Sequence, residues 1–326
     1  MWRGKRTDER MAAVTPTNTS ALTTDGLTKH YGDVRALVDL TIDVKRGEVF
    51  GFLGPNGAGK TTMIRTVLDE IRPTAGRAWI LGMDSHQQAV EIRRHLGYLP
   101  SDLALYPNMT GRDLLTYFGN LRGGVDWSFV GRLADRLDSD LDRKLGDLSS
   151  GNRQKVGLIQ ALMSRPEVLI MDEPSAGLDP IMQRELQTIM REVAADGRTV
   201  FLSSHALGEV QRVADRVGII RDGHLVALET VADLRAKALR RIEFTFEDPP
   251  NPHMFDQVPG VRNVIADNSH LIVSFDGQMK TLLAAVGERH NLVDISTEDA
   301  DLDEIFLTYY RGPEIPETKP TELAVH

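Results

Sequence analysis

From about residue 22 to residue 235, short apolar runs alternate with stretches in which apolar residues recur every three or four positions. The first kind fits strands and the second helices, so their alternation predicts an α/β layer structure with a largely parallel sheet. Two runs, VLIM at 168–171 and TVFL at 199–202, are apolar on both faces, as the central strands of such a sheet must be. Thr110 and Asp113 have the spacing of a capping box and open a predicted helix with Leu114, Leu115, Phe118 and Leu121 on one face. Residues 103–150 are therefore expected to form a helical insertion. Further on, the β-like runs 218–221 and 224–228 flank Asp222 and Gly223, a pair suited to the positive φ angles of a tight hairpin.

After Arg241 the texture changes. Ile242, Phe244 and Phe246 alternate with polar residues, as do Leu271, Val273 and Phe275, while Leu302, Ile305, Phe306 and Tyr309 follow helix spacing. The expected organisation is a main domain over 21–239 and a small α+β accessory domain over 240–311. Polar segments at 1–20 and 312–326 are expected to be disordered, and Met11 is a second candidate start.

Composition narrows the picture. The 326 residues include no cysteine, which excludes a disulfide scaffold, a thiolate metal site and a cysteine nucleophile. A net charge of −9 argues against nucleic-acid backbone as the main partner, and none is expected. The apolar runs fall far short of the roughly 20 residues that span a bilayer, and the polar N-terminus lacks the apolar core of a secretory signal. The acidic run 135–147 reads as a solvated face.

The strongest chemical pattern follows the strand-like VFGFL at 49–53. Gly54, Pro55, Asn56, Gly57, Ala58, Gly59, Lys60 and Thr61, with Thr62 next, fit the P-loop pattern G-x-x-x-x-G-K-[ST] in its strand-to-helix setting. Glycines let backbone N–H groups turn inward around phosphate oxygens at a helix N-terminus, where the dipole favours anions. Lys60 would reach the β- and γ-phosphates of such a ligand and Thr61 would place its hydroxyl on Mg²⁺. The run 168–171 then ends in Asp172 and Glu173. Neighbouring strand-end side chains point opposite ways, so Asp172 can serve the Mg²⁺ shell while Glu173 faces an attacking water as general base. Ser149 and Gly151 precede a helix-like run, and as a cap or an anion-binding turn they suit the same ligand class.

Over roughly residues 22–235 these motifs resemble the nucleotide-binding subunits of ABC transporters. LSSGNRQ at 148–154 is similar to the family signature, with Ser150 in place of a glycine and Asn152 in place of a glutamine. Ser175 to Asp179 resembles the D-loop, His205 the switch histidine and Tyr31 the aromatic that stacks on adenine. The resemblance implies a P-loop ABC ATPase fold: a mixed, mainly parallel sheet with an antiparallel β subdomain and a helical insertion. It also implies that Ser149, Ser150 and Gly151 close over ATP held by a second, head-to-tail copy, with Asp179 at the shared site. ATP and Mg²⁺ are the implied cofactors. Where the family usually has a metal-contacting Gln after a segment like GYLP (97–100), this chain has Ser101 and then Asp102, so the metal contact is expected from Ser101 through a bridging water or from Asp102 in its place.

A single cassette followed by a small domain is similar to bacterial ABC-2 type exporters, of which daunorubicin-resistance ATPase subunits are the nearest type. The implied function is ATP hydrolysis that powers a separately encoded integral membrane permease. The cargo would be drugs, lipids or other hydrophobic compounds, and the chain would sit peripherally on the cytoplasmic face of the membrane. A cytoplasmic helix of the permease would dock between the insertion and residues 98–102. Two other readings stay open: a soluble ABC ATPase acting on a ribosomal or nucleic-acid machine, and a regulatory module that senses ATP without hydrolysing it.

Overall fold

The computed structural model describes residues 17–237, 240–275, 277–287 and 291–298. The expected helix around 302–309, the C-terminal tail and residues 1–16 lie outside the described residues. Residues 17–20 lead into β1, which begins at Ser20, and the Ser20 N–H bonds the Thr17 carbonyl at 3.0 Å. The chain divides into two compact units between Val231 and Ala232, ahead of the change in sequence texture at Arg241.

The first unit is layered. Strands β1 (Ser20–Tyr31), β2 (Val34–Lys45), β3 (Val49–Leu53), β4 (Ala75–Ile80), β5 (Met83–Asp84) and β6 (Leu96–Leu99) precede β7 (Val168–Asp172), β8 (Thr199–Ser204), β9 (Arg216–Arg221) and β10 (His224–Thr230). Six of them form a sheet in the order β10-β9-β3-β8-β7-β6, parallel except for the β9–β10 hairpin. Asp222 at φ 50° and Gly223 at φ 79° turn that hairpin, as the sequence predicts. A separate antiparallel sheet runs β2-β1-β4-β5. Phe50 and Phe52 of β3 each pack on Phe201 of β8 at 5.7 Å between ring centres, all three fully buried.

Helices α1 (Lys60–Val67), α2 (Ala89–His95), α3 (Gly111–Asn120), α4 (Trp127–Arg136), α5 (Ser150–Leu162), α6 (Pro180–Ala195) and α7 (Leu207–Val213) connect the strands. The insertion is helical, with α3 and α4 inside it. Thr110 caps α3 by accepting the Asp113 N–H, and the Asp113 carboxylate accepts the Thr110 N–H, each at 3.1 Å. Leu114 and Leu115 are buried as expected, but Leu121 is 69% exposed. Leu121 is the C-cap of α3 and keeps helical dihedrals, φ −67° and ψ −15°, so its exposure marks where the packed face ends and not a change of backbone direction. The acidic side chains Asp135, Asp138, Asp140, Asp142 and Asp147 are all exposed.

The second unit contains α8 (Val231–Lys237) from its second residue on, then β11 (Arg240–Phe246), β12 (Val261–Asp267), β13 (His270–Phe275), α9 (Met279–Gly287) and β14 (Leu292–Glu298). Its antiparallel sheet has the order β12-β13-β11-β14. The alternating positions Ile242, Phe244, Phe246, Leu271, Val273 and Phe275 line one buried core with Phe255, Leu282 and Val286.

Candidate functional site

The loop between β3 and α1 opens onto a cavity of about 510 Å³. Gly57 and Gly59 have φ of 82° and 110°, and a Cβ on Gly59 would stand 2.4 Å from the Ala36 carbonyl oxygen. Only glycine fits there. Gly59 gives α1 no side-chain cap and the first turn holds no carboxylate, so its N–H groups and dipole stay available to an anion. Pro55, Asn56, Gly57, Gly59, Lys60, Thr61 and Thr62 line the cavity, together with Ser101 and Glu173. Gly54 and Ala58 lie beneath it as packing residues: a Cβ on Gly54 would meet the Ile220 carbonyl oxygen at 2.7 Å, and Ala58 is buried.

Lys60 is almost fully buried, and its Nζ donates to the Gly54 carbonyl at 2.6 Å and pairs with Glu173 Oε1 at 3.1 Å. No directed hydrogen bond reaches the buried Oε1, so its contact with Lys60 is ionic. Glu173 Oε2 lies 2.8 Å from His205 Nδ1, which places the ring proton on that nitrogen. Glu173 itself sits at φ 51°, a left-handed conformation that costs a non-glycine residue about 1–3 kcal/mol. Such strain persists only where neighbours hold it.

On the other side of the strand end, Asp172 is fully buried. Its Oδ2 accepts the Thr61 hydroxyl at 2.7 Å, and its Oδ1 accepts the Ser203 hydroxyl. Thr61 thereby spends its proton on Asp172 and turns its lone pairs outward. This donor set fits Mg²⁺, which takes one or two protein oxygens and fills its remaining octahedral positions with phosphate and water. No group of three acidic or histidine side chains among the described residues forms a metal cage of its own. Thr61 would hold the ion, with Asp172 ordering the shell behind it.

The remaining expected site residues lie elsewhere. Tyr31 ends β1 opposite Val34, which lines the cavity, and its half-exposed ring carries Lys29 Nζ at 4.9 Å. Ser149, Ser150 and Gly151 open α5 and do not line the cavity of their own chain. Ser149 caps α5 by accepting the Asn152 N–H at 3.3 Å. A Cβ on Gly151 would meet the Gly177 carbonyl oxygen at 2.4 Å, and Gln154 donates to the Pro174 carbonyl at 3.2 Å. The LSSGNRQ segment is thus seated on the loop that follows Glu173. Asp179 caps α6, accepting the Ile181 and Met182 N–H groups at 3.0 Å.

This arrangement, a P-loop cradle beside paired strand-end carboxylates, agrees with the comparisons. The ABC transporter family pattern matches residues 37–176. The chain is 38% identical over 228 residues to the daunorubicin resistance ATP-binding protein DrrA3 of Streptomyces coeruleorubidus, covering 67% of this chain and 71% of that protein. It belongs to the ABC transporter family. Against the probable multidrug ABC transporter ATP-binding protein YbhF of Escherichia coli (strain K12) the identity is 35% over 70% of this chain, which spans only 39% of that longer relative. Among solved structures, an ATP-binding subunit of an ABC transporter superposes with a TM-score of 0.61 at 30% identity, over 67% of this chain and 93% of that one.

Residues that the sequence did not single out also stand at the site. Arg35 and Asp222 line the cavity, and the Ser203 hydroxyl links the Asp172 carboxylate to the Glu173 backbone N–H. Asp222 was legible only as a turn residue, and Ser203 only as a neighbour of His205. The phenol of Tyr98, three residues before the cavity-lining Ser101, is pushed well above its usual range by burial and then by Glu70 and Asp172. It stays a neutral hydrogen-bonding group at any working pH.

Proposed function

We propose that this chain hydrolyses ATP with Mg²⁺ and thereby drives a separately encoded membrane permease that exports drugs, lipids or other hydrophobic compounds. The observation that carries the reading is the convergence of Lys60, Thr61, Asp172, Glu173 and His205 at one P-loop cavity. Lys60 and the α1 N-terminus bind the phosphates, and Tyr31 stacks on adenine at the rim. Glu173 takes the proton of the attacking water, and His205 orients that carboxylate and meets the γ-phosphate. Mg²⁺, when bound, neutralises the phosphate oxygens and supplies Lewis acidity to the phosphoryl group.

The site is completed by a second, head-to-tail copy. Ser149, Ser150 and Gly151, with Asp179 just after the Gly177 against which Gly151 packs, supply the lid over the partner's ATP, which accords with their absence from their own cavity. Binding of two nucleotides closes the pair and hydrolysis reopens it, shifting the permease between states by differential binding. The names of the relatives support export, and nothing favours the ribosomal, nucleic-acid or purely sensing alternatives. No helix among the described residues is long and apolar enough to cross a membrane. A peripheral place on the cytoplasmic face therefore relies on the permease. A cleft of about 220 Å³ lined by Gly97, Tyr98, Phe118, Arg122 and Gln160 offers its cytoplasmic helix a seat. The second unit is an accessory domain.

The test is Mg²⁺-dependent phosphate release by the purified chain, together with co-purification of an intact complex from membranes. Turnover without any membrane partner would leave the ATPase standing and remove the transport role. A second measurement concerns Ser101, which faces the cavity with a side chain too short for the reach of the usual glutamine. Ser101→Gln is expected to keep or raise the ATPase rate of the isolated chain. Joint loss of nucleotide binding and hydrolysis would instead mean that the loop is built around the shorter side chain.

A further inference from the structure

One buried hydroxyl links Asp172, the last residue of β7, to the backbone of Glu173 that follows it. Ser203 lies directly across the parallel β7–β8 register from Asp172 and is fully buried. Its Oγ donates to Asp172 Oδ1 and accepts the Glu173 N–H at 3.1 Å, while its own carbonyl shares that N–H at 3.2 Å. Thr61 reaches the opposite oxygen of Asp172 at 2.7 Å. A continuous chain of hydrogen bonds therefore runs from the P-loop hydroxyl through Asp172 and Ser203 to the backbone of Glu173. A hydroxyl can donate once and accept as well, which neither alanine nor an apolar residue can do. Its neighbour Ser204 does not share the task, because its Oγ accepts the Ala206 N–H at 3.0 Å and holds the turn before His205.

We infer that Ser203 is a positioning residue of the hydrolytic site, joining its metal side to its base side. This rests on the ATPase reading above. Through Oδ1, Ser203 holds the Asp172 carboxylate turned toward Thr61, so that the threonine lone pairs face the place of Mg²⁺. Through the Glu173 N–H, it helps keep that residue at φ 51°, the conformation in which its carboxylate meets Lys60 and His205. Losing the hydroxyl loosens both halves together. A change at Thr61 would disturb only one of them.

Two variants test this. Ser203→Ala removes both hydrogen bonds, and Ser203→Cys keeps the volume with a much weaker donor and acceptor. Each is expected to lower kcat roughly tenfold, as loss of a hydrogen bond to a charged group does, with the KM for ATP changed less than about threefold. A readout independent of turnover uses the Glu173→Gln background, in which binding of a fluorescent ATP analogue is titrated with Mg²⁺. There the Mg²⁺ needed for half-maximal binding should rise by roughly threefold to tenfold when Ser203 is replaced. The proposal is overturned if either variant melts like the parent protein and retains its kcat and Mg²⁺ requirement. It is equally overturned if both variants fail to fold, since Ser203 would then be a packing residue. If the parent chain releases no phosphate, the ATPase reading fails, and the Mg²⁺ titration still decides the role of Ser203.

Discussion

Replacing Glu173 with glutamine is expected to cut ATP turnover by about 10²–10⁴-fold, the contribution of a positioned general base, while leaving nucleotide binding in place. The amide keeps the size of the carboxylate and can still meet His205 Nδ1, so the backbone of residue 173 and its bonds to Ser203 should stay as they are. What disappears is the negative charge beside Lys60 and the basic oxygen that takes a proton from water. Lys60, released from its ion pair, remains donated to the Gly54 carbonyl and is free to turn toward the γ-phosphate. ATP-bound pairs of chains should therefore accumulate, visible by light scattering after size exclusion as a doubling of mass. Near-normal turnover would exclude Glu173 as the base.

The second large effect concerns the shared site and needs two defective chains. Lys60→Ala removes the buried ammonium from its own P-loop and should abolish tight phosphate binding there. Ser149→Arg leaves that P-loop intact. It sacrifices the N-cap of α5, a loss of about 1 kcal/mol, and puts bulk where the partner's nucleotide is expected to sit. Each variant alone should fail to form an ATP-dependent pair. Mixed, they can build one whole interface from the P-loop of the Ser149→Arg chain and the LSSGNRQ segment of the Lys60→Ala chain, with the other interface doubly broken. One nucleotide retained per mixed pair after rapid dilution is the expected stoichiometry, read on pairs isolated through two different tags. Normal pairing and turnover by Ser149→Arg alone would reduce Ser149 to the helix cap it already is in the single chain.

Much of this site is written in contiguous residues, and those parts could be read without a structure. The P-loop is a local motif because phosphate binding there uses successive backbone N–H groups, and positive φ at Gly57 and Gly59 is a property of single residues. The Thr110–Asp113 capping box and the Asp222–Gly223 turn are equally local, and both formed as expected. Leu121 failed the same kind of reasoning. Periodicity identifies a face but does not say how far along it the packing neighbours reach, and Leu121, at the C-cap of α3 and still helical, is left exposed.

The sequence by itself determined the chemistry at hand: a phosphate cradle, two adjacent carboxylates, a histidine after a buried strand, and two separately patterned regions. Only the tertiary structure decided how those groups are bound to one another. Asp172 meets Thr61 across 111 residues of chain, and Ser203 joins Asp172 to Glu173 because β7 and β8 pair in one register. A shift of one residue would have turned the serine to the other face of the sheet. Likewise the sequence places Gly151 in a cap or an anion-binding turn, and its close approach to Gly177 adds a packing demand that no local pattern carries. Registers and contacts between distant segments follow from packing the whole core, in which side chains such as Phe50, Phe52 and Phe201 interlock, and that information is spread over the chain and held by no single motif.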